Sequence, residues 1–142
     1  MEVRRARPEE LGICAGLYVR VLRDTFTWVA KDKHKEADFL RAAREEEVYV
    51  AVEDGIILGL AAFYRPQNFI HSLYAQVRGQ GVGKALLGHL ISIADGPLTL
   101  KVQEPNLRAQ KFYAREGFDR RELGYDQDSH VAWLRLVRMP WK

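Results

Sequence analysis

The spacing of apolar residues divides the chain into helices and strands. Apolar side chains three or four positions apart predict four helices, each with one buried face. These helices cover residues 8 to about 21, about 34–46, 81–95 and 106–116. Short runs rich in β-branched and aromatic residues predict seven strands. They lie at residues 3–6, 48–52, 56–64, 69–75, 98–103, 118–123 and 131–139, so the predicted order is β-α-α-β-β-β-α-β-α-β-β.

The connections between these elements indicate how the strands pair. Asp54-Gly55 is a two-residue connection that favours a tight hairpin between the second and third strands. The strands at 69–75 and 98–103 are joined by a helix, so we expect them to lie parallel to each other. The other connections are short and predict antiparallel pairs. The long alternation of strand and helix that is typical of a dinucleotide-binding domain is absent from the pattern.

The composition fits one globular domain over residues 1–142. Hydrophobic residues make up 47% and charged residues 29%, with a net charge of +3 and both signs interleaved. Because there is no basic arm or stripe, nucleic acid is a poor partner, and no apolar run is long enough to span a membrane. The single cysteine, Cys14, excludes an internal disulfide and favours a cytoplasmic location. The four histidines lack the spacing of metal ligands, so we expect no metal.

Three alternate glycines, Gly79, Gly81 and Gly83, lie between a strand and a helix. Such a turn leaves several backbone N–H groups free at the positive end of the helix dipole, which favours a phosphate or pyrophosphate ligand. A P-loop would need glycine at position 78 and serine or threonine at position 85, but the residues there are Arg78 and Ala85. A dinucleotide fingerprint would need its third glycine one residue later.

A second motif follows in Asn106, Ala109, Phe112-Tyr113 and Gly117-Phe118. Together with Arg78-x-x-Gly81-x-Gly83, it resembles the GNAT acetyltransferase superfamily. The first motif resembles that family's pyrophosphate loop, and the second resembles its Asn-x-x-Ala-x-x-Phe-Tyr-x-x-x-Gly-Phe signature. The resemblance is strong over residues 69–118. It implies an α/β fold with a mixed, mostly antiparallel sheet, a central parallel and splayed strand pair, and about four helices packed on the sheet.

The resemblance also implies acetyl-CoA as the co-substrate, in a cleft where the two parallel strands diverge. The backbone of Leu73, Tyr74 and Ala75 is expected to contact the pantetheine arm, with one N–H group polarising the thioester carbonyl. Asn106 is expected to bond pantetheine, to cap its helix, or both. The pyrophosphate is expected on Arg78, Gly79, Gln80, Gly81, Val82, Gly83 and Lys84. Lys84 fits a solvated helix position equally well. The chain from Ala75 to Arg78 is two residues shorter than in relatives, which predicts a tighter turn.

The same resemblance assigns to Tyr113 the protonation of the departing thiolate. A phenol with a pKa of about 10 can donate a proton to a thiolate whose conjugate acid has a pKa of about 8.5. The alternative is a core tyrosine packed beside Phe112. In relatives that acetylate protein N-termini, a glutamate five residues before the asparagine is the base, and here that position is Lys101. We therefore expect His71 to act as the base, directly or through water, with His130 or solvent as alternatives.

The acceptor pocket is expected between Trp28, His34, His71 and the polar loop 125–130, with Asp126 and Asp128 attracting a cationic amine. The predicted function is transfer of an acetyl group from acetyl-CoA to a primary amine of a small molecule or an amino-acid-like acceptor. The alternatives are a non-catalytic acyl-CoA-binding sensor and an acetyltransferase of protein N-termini or lysines. The sequence leaves open whether the chain forms a homodimer.

Overall fold

The computed structural model describes residues 1–141 and shows a seven-stranded sheet with helices on both faces. The strands are β1 (Glu2–Arg5), β2 (Glu47–Glu53), β3 (Ile56–Tyr64), β4 (Phe69–Ala75), β5 (Leu98–Gln103), β6 (Asp119–Asp126) and β7 (Val131–Arg138). The α-helices are α1 (Leu11–Thr25), α2 (Glu36–Ala42), α3 (Val82–Ile93) and α4 (Leu107–Arg115). Element order and type agree with the pattern of the sequence throughout the described chain.

The strands lie in the order β1-β2-β3-β4-β5-β7-β6. The pair β4 and β5 is parallel, as the helix between these strands predicts, and the other pairs are antiparallel. Asp54 and Gly55 both have positive φ angles and form the predicted hairpin turn between β2 and β3. The last described strand, β7, enters the sheet between β5 and β6, a detail that local sequence patterns do not specify.

Several predicted boundaries differ from the structure. The first helix begins with a 3-10 turn at Pro8–Glu10 and continues as α1 to Thr25, beyond the predicted end near residue 21. The second helix is shorter than residues 34–46, because Lys35 is extended at its start and the chain turns after Ala42 so that Glu47 can begin pairing with Phe63. The strand predicted at 118–123 continues to Asp126, because the ladder to β7 extends as far as the pair Asp126 and Val131. The polar loop predicted at 125–130 is therefore reduced to a turn over residues 127–130.

Each face of the sheet carries its own hydrophobic cluster. One cluster lies under α3 and α4 and includes the fully buried Phe63, Leu86 and Leu90. The other lies under α1 and α2 and includes Leu17 and Leu60 together with Cys14, Phe39 and Val50. Burial among these side chains accounts for Cys14, whose thiol pKa is raised to about 11 by desolvation. This thiol is a packing residue and not a reactive nucleophile.

Gly59 of β3 sets how closely α3 approaches the sheet. A Cβ at this position would lie 2.5 Å from Cγ1 of Val82 and 2.6 Å from the carbonyl oxygen of Tyr74. Val82 is the first residue of α3, and Tyr74 lies near the end of β4. The missing side chain therefore lets the start of α3 sit directly against the ends of β3 and β4, where the glycine turn also lies.

Replacing Gly59 with alanine is expected to destabilise the fold. Overpacking of a filled interior typically costs about 1–3 kcal/mol, and the Tyr74 carbonyl is backbone that cannot rotate away. The free energy of unfolding, measured by urea titration, should fall by that amount. Gly88→Ala in α3 is the control, because a Cβ at Gly88 would meet nothing within 4 Å. That variant should gain about 0.5–1 kcal/mol from helix propensity. Equal stabilities for the two variants would contradict this account of the seating of α3.

Candidate active site

The strands β4 and β5 pair over only two residues before they separate. Phe69 lies opposite Thr99 and Ile70 opposite Leu100, and no later residue of β4 pairs with β5. The other edge of β4 stays paired with β3 as far as Ala75. On the far side, β5 stays paired with β7 as far as Gln103. The two strands thus open a wedge-shaped cleft whose walls are each held from the outside. This is the splay that the sequence motifs imply.

The wall of β4 carries three of the predicted cofactor residues, Leu73, Tyr74 and Ala75, and all three line the cleft. Their strand partners lie on β3, so the backbone edge of β4 that faces β5 has no neighbouring strand at this level. Backbone N–H and C=O groups are strong hydrogen-bonding groups that require partners when they are buried. An extended ligand entering the cleft can supply those partners as an added strand does.

The glycine turn lies at one end of the cleft, in front of α3. Gly79 and Gly81 have φ angles of 81° and 74°, a backbone region that favours glycine. Gly81 is the N-cap of α3, and its carbonyl accepts the first helical bond from the Ala85 N–H at 3.0 Å. The N–H groups of the first turn of α3 therefore lie at the turn with no partner inside the helix. A Cβ at Gly79 or Gly81 would meet no protein atom within 4 Å, so the glycines leave open space there.

Positive charge accompanies this turn. Arg78 and Lys84 from the turn and the start of α3, and Arg108 and Arg115 from α4, line the same cleft. Together with the positive end of the α3 dipole, they favour a ligand that carries phosphate groups. The turn is held to the sheet by the Gln76 N–H, which donates to the Leu58 carbonyl at 2.7 Å.

Helix α4 forms the opposite side of the cleft. Its N-cap is Asn106, whose side-chain Oδ1 accepts a hydrogen bond from the Ala109 N–H at 3.2 Å. The capping role expected of Asn106 is therefore present, and Asn106 also lines the cleft. Phe112 of α4 packs on the start of α3, with its ring 3.7 Å from where a Cβ of Gly83 would lie. The absence of a side chain at Gly83 thus leaves room for the Phe112 ring between α3 and α4.

Tyr113 points from α4 into the core beside the cleft. Its side chain is 8% exposed, and its ring makes edge contacts with Phe112 and Phe118 at centroid distances of 5.2 and 5.3 Å. Tyr113 also lines the cleft. Burial raises the pKa of its hydroxyl well above the ordinary value, because desolvation disfavours the phenolate. The hydroxyl is therefore protonated throughout the neutral range and is available as a proton donor.

His71 lies at a β-bulge on the other wall. Ala62 pairs with Ser72 and Phe63 pairs with Ile70, so His71 is the extra residue of β4 at this point. The His71 side chain lines the cleft and is 45% exposed. Its Nδ1 lies 2.9 Å from Oε2 of Glu46, and the hydrogen bond with that carboxylate raises the pKa of His71. The structure thus gives the predicted base an acidic partner that the sequence analysis did not identify.

Lys101 faces the opposite side of the sheet from its neighbours on β5. Leu100 and Val102 face the cluster under α3 and α4, so Lys101 faces the opposite side, toward α1 and α2. Its Nζ lies 4.3 Å from the centre of the Trp133 ring, which stabilises the ammonium as a cation. Trp133 in turn lies flat over Gly124, where any Cβ would overlap the indole.

The acceptor side of the cleft contains part of the predicted set. His34, Tyr125, Asp126, Gln127 and Ser129 line it, whereas Trp28, Asp128 and His130 do not. The Trp28 Nε1–H instead donates to Oε1 of Gln103 at 2.6 Å, which ties the segment after α1 to the end of β5. Burial, together with the nearby Arg23, lowers the pKa of His34. Asp126 accepts hydrogen bonds from the Asp128 N–H and the Ser129 hydroxyl, which lower its pKa.

Nearly all of the predicted cofactor residues meet at the cleft. The exception is Gln80, an exposed side chain outside the lining. Asp24 and Gln103 line the cleft as well, although no motif identified them. Within residues 1–141 there is no group of three or more His, Cys, Asp or Glu side chains arranged to hold a metal ion. Over the same residues, no helix has the length and apolar character needed to cross a bilayer.

Comparisons with known proteins agree with this geometry. The profile of the Acetyltransferase (GNAT) family matches residues 17–118, which is well over half of the chain. A peptidyl-lysine N-acetyltransferase, YjaB of Salmonella typhimurium strain LT2, is 33% identical, and the match covers 83% of each chain.

Solved structures show the same fold. The solution structure of the apo form of YjaB from Escherichia coli matches with a TM-score of 0.81 and 26% identity, over 96% of this chain and 95% of that one. The structure of yncA from Salmonella typhimurium with acetyl-CoA matches with a TM-score of 0.73 and 19% identity, over 99% and 94% of the two chains. With the family profile matched across the splayed strands, the glycine turn and α4, the chain belongs to the GNAT family and is an acetyl-CoA-dependent acetyltransferase.

Proposed function

We propose that this enzyme transfers the acetyl group of acetyl-CoA to a primary amine by direct attack in the cleft between β4 and β5. The observation that carries the proposal is the two-residue pairing of these strands, which leaves the cleft-facing edge of β4 free at Leu73, Tyr74 and Ala75. An extended pantetheine arm fits such an edge. The pyrophosphate fits the turn at Gly79 and Gly81, where the open space and positive charge favour it.

The reaction needs three contributions from the protein. A backbone N–H at the end of β4 stabilises the negative charge that develops on the thioester carbonyl oxygen. His71 accepts the proton that the attacking amine nitrogen loses as the new C–N bond forms. Tyr113 donates its proton to the sulfur as the C–S bond breaks. The position of Tyr113 supports this role, because its side chain lines the cleft and its phenol is protonated at neutral pH.

The acceptor that the observations favour is the side-chain amine of a peptide lysine. The similar enzyme from Salmonella typhimurium is named as a peptidyl-lysine N-acetyltransferase. The carboxylates of Asp24 and Asp126 both line the open cleft, and such groups attract an alkylammonium group. The small or amino-acid-like amine expected from the sequence fits the same chemistry and is the competing acceptor.

An acceptor panel tests the function. Thiol release from acetyl-CoA should be measured with lysine-containing peptides, peptides with a free N-terminus but no lysine, free amino acids and simple alkylamines. We expect turnover with the lysine peptides at the highest kcat/KM. If small amines are preferred, the acceptor is instead the small or amino-acid-like amine that the sequence predicts. If acetyl-CoA raises the melting temperature, as a ligand specific to the folded state does, but no amine in a broad panel turns over, the chain is a sensor.

Substitution of Gly81 with alanine should separate cofactor binding from folding. The added Cβ projects into the open space of the turn, and the residue must keep a φ of 74°. A non-glycine residue in that region costs about 1–2 kcal/mol, and the Cβ also obstructs the pyrophosphate. The acetyl-CoA dissociation constant, measured by calorimetry, should rise at least about tenfold, which corresponds to 1.4 kcal/mol.

The matched control is Gly55→Ala in the hairpin between β2 and β3. Gly55 has a φ of 78° and likewise no neighbour within 4 Å of a Cβ. It therefore carries the same backbone cost far from the cleft, and both variants should lose similar stability. Only Gly81→Ala should lose acetyl-CoA affinity. Equal affinities in the two variants would mean that the pyrophosphate site has been placed wrongly.

Tyr113→Phe should slow catalysis and leave binding nearly unchanged. The hydroxyl assists departure of the sulfur chiefly in the transition state, so its loss should appear in kcat. General acids contribute typically 10²–10⁴-fold, so kcat should fall at least about 100-fold. The ring remains, and its packing on Phe112 and Phe118 is kept. Steady-state kinetics with a responsive amine and an acetyl-CoA titration measure the two effects.

Tyr49→Phe is the control for removal of a buried hydroxyl. Tyr49 is 7% exposed, and its hydroxyl donates to Oε1 of Glu47 at 2.6 Å, outside the cleft. This variant should lose some stability and keep its kcat. A Tyr113→Phe enzyme that turns over within about threefold of the parent, well below the general-acid range, excludes the hydroxyl from the mechanism.

A further inference from the structure

Three consecutive glutamates at the start of β2 have three different environments. Glu45 is exposed. Glu47 is bonded by the guanidinium of Arg65, with Nη2 2.9 Å from its Oε1. Glu46 lies between them with its side chain only 8% exposed, and it faces His71. A carboxylate is almost never buried without a partner. The imidazole of His71 supplies the hydrogen-bond partner that the buried carboxylate of Glu46 needs.

The contact fixes which ring nitrogen of His71 carries a hydrogen. Nδ1 of His71 lies 2.9 Å from Oε2 and 3.1 Å from Oε1 of Glu46. An ionised carboxylate can only accept hydrogen bonds, so Nδ1 is the donor. In the neutral ring, Nε2 then carries the lone pair. The edge of the ring that bears Nε2 is turned away from Glu46, and the side chain lines the cleft.

The backbone supports the same orientation. The β-bulge places His71 as an unpaired residue between Ile70 and Ser72. The ring also stacks on Phe69 of the same strand, with centroids 6.4 Å apart. A bulge re-aims a side chain relative to the regular alternation of a strand. The bulge, the Phe69 ring and the Glu46 carboxylate therefore all help to orient the imidazole of His71.

We propose that Glu46 is a positioning residue for acetyl transfer: it holds the Nδ1–H of His71 so that Nε2 accepts the proton released by the attacking amine. The inference rests on the proposed function, in which His71 is the base. As the amine nitrogen bonds to the acetyl carbon, its proton passes to Nε2, and the His71 imidazolium is stabilised by the Glu46 carboxylate. The sulfur leaves with its bonding electrons and takes the proton of Tyr113.

The pH dependence follows from the charged groups around the ring. Glu46, from the turn before β2, raises the pKa of His71, whereas burial opposes it. Burial raises the pKa of the nearby Tyr18, and the carboxylates of Asp38 and Glu46 add to that shift. On β5, Lys101 is held over Trp133. A base with a raised pKa is protonated, and inactive, up to a higher pH. Activity should thus fall as the pH drops through the raised pKa of His71, and removing the carboxylate should move that acid limb to lower pH.

The test compares Glu46→Gln, Glu46→Ala and the neighbouring control Glu45→Gln. The amide oxygen of a glutamine can still accept the Nδ1–H but carries no charge. Glu46→Gln should therefore shift the acid limb of kcat/KM to lower pH and keep much of the plateau rate. Glu46→Ala removes both effects, and its plateau kcat should fall roughly 10- to 100-fold, as on loss of a carboxylate that orients a histidine. KM for acetyl-CoA should change little in either variant, and Glu45→Gln should match the parent.

Long-range ¹H–¹⁵N NMR of the histidines supplies a readout independent of turnover. The parent should show His71 protonated at Nδ1 in its neutral form, and Glu46→Ala should shift it toward the other tautomer. An unchanged tautomer together with an unchanged acid limb in Glu46→Gln would overturn the role of Glu46. A merely structural carboxylate would lower the melting temperature without moving either readout.

His71→Gln separates this inference from the proposed function. If that variant keeps the parent kcat across the pH range, His71 is not the base, and the role of Glu46 is overturned with it. If His71→Gln is impaired while the Glu46 variants retain the parent pH profile and tautomer, the base assignment stands and only the positioning role is wrong.

Discussion

The structure depends on an interrupted pairing at the centre of the sheet. Phe69 and Ile70 are joined to Thr99 and Leu100, and beyond them the two parallel strands separate. The separation is stable because each strand keeps an antiparallel neighbour on its outer edge, β3 for one and β7 for the other. Only the inner edges lose their partners, and those edges form the cleft. Backbone groups that the sheet leaves unpaired are available to bind an extended ligand, which is the mode of binding that we propose for acetyl-CoA.

The glycines near the cleft have separate physical functions. Gly59 lacks a side chain so that α3 can approach β3 and β4, and Gly83 leaves room for the ring of Phe112. Gly81 adopts a left-handed conformation that begins α3 and leaves space in front of its N–H groups. Close helix packing at Gly83 and open space at Gly81 therefore occur within a few residues of each other. The packing of α3 thus fixes the position of the turn to which we assign the pyrophosphate.

Much of the fold and of the cofactor cleft could be predicted from the sequence. Element types follow from apolar spacing, and the parallel pair follows from the helix between its strands. The residues of the two motifs meet at the cleft because each motif lies next to β4 or β5. The partner of His71 could not be predicted, because Glu45, Glu46 and Glu47 look alike in sequence. The turn after α2 directs Glu46 toward His71 of β4, which comes 25 residues later in the chain.

The contact between Lys101 and Trp133 could not be predicted from the sequence for a related reason. Its contact with Trp133 depends on the register of β5 against β7. The position of the indole in turn depends on Gly124 of β6, because any side chain there would overlap the ring. These residues are far apart in the chain and have no shared local pattern. The sequence shows a lysine at this position, but the environment of that lysine is a property of the assembled sheet.

The place of β7 between β5 and β6 also bears on how the protein is made. Synthesis delivers the glycine turn, β5 and Tyr113 before it delivers Val131–Arg138. Until that last segment emerges, β5 has no neighbour on its outer edge, and β6 cannot replace it, because β6 pairs only with β7. A nascent chain therefore carries the glycine turn beside an unsupported wall, with strand edges that are prone to association. The second wall of the cleft is supported in one late step, when β7 inserts between β5 and β6, which are already made.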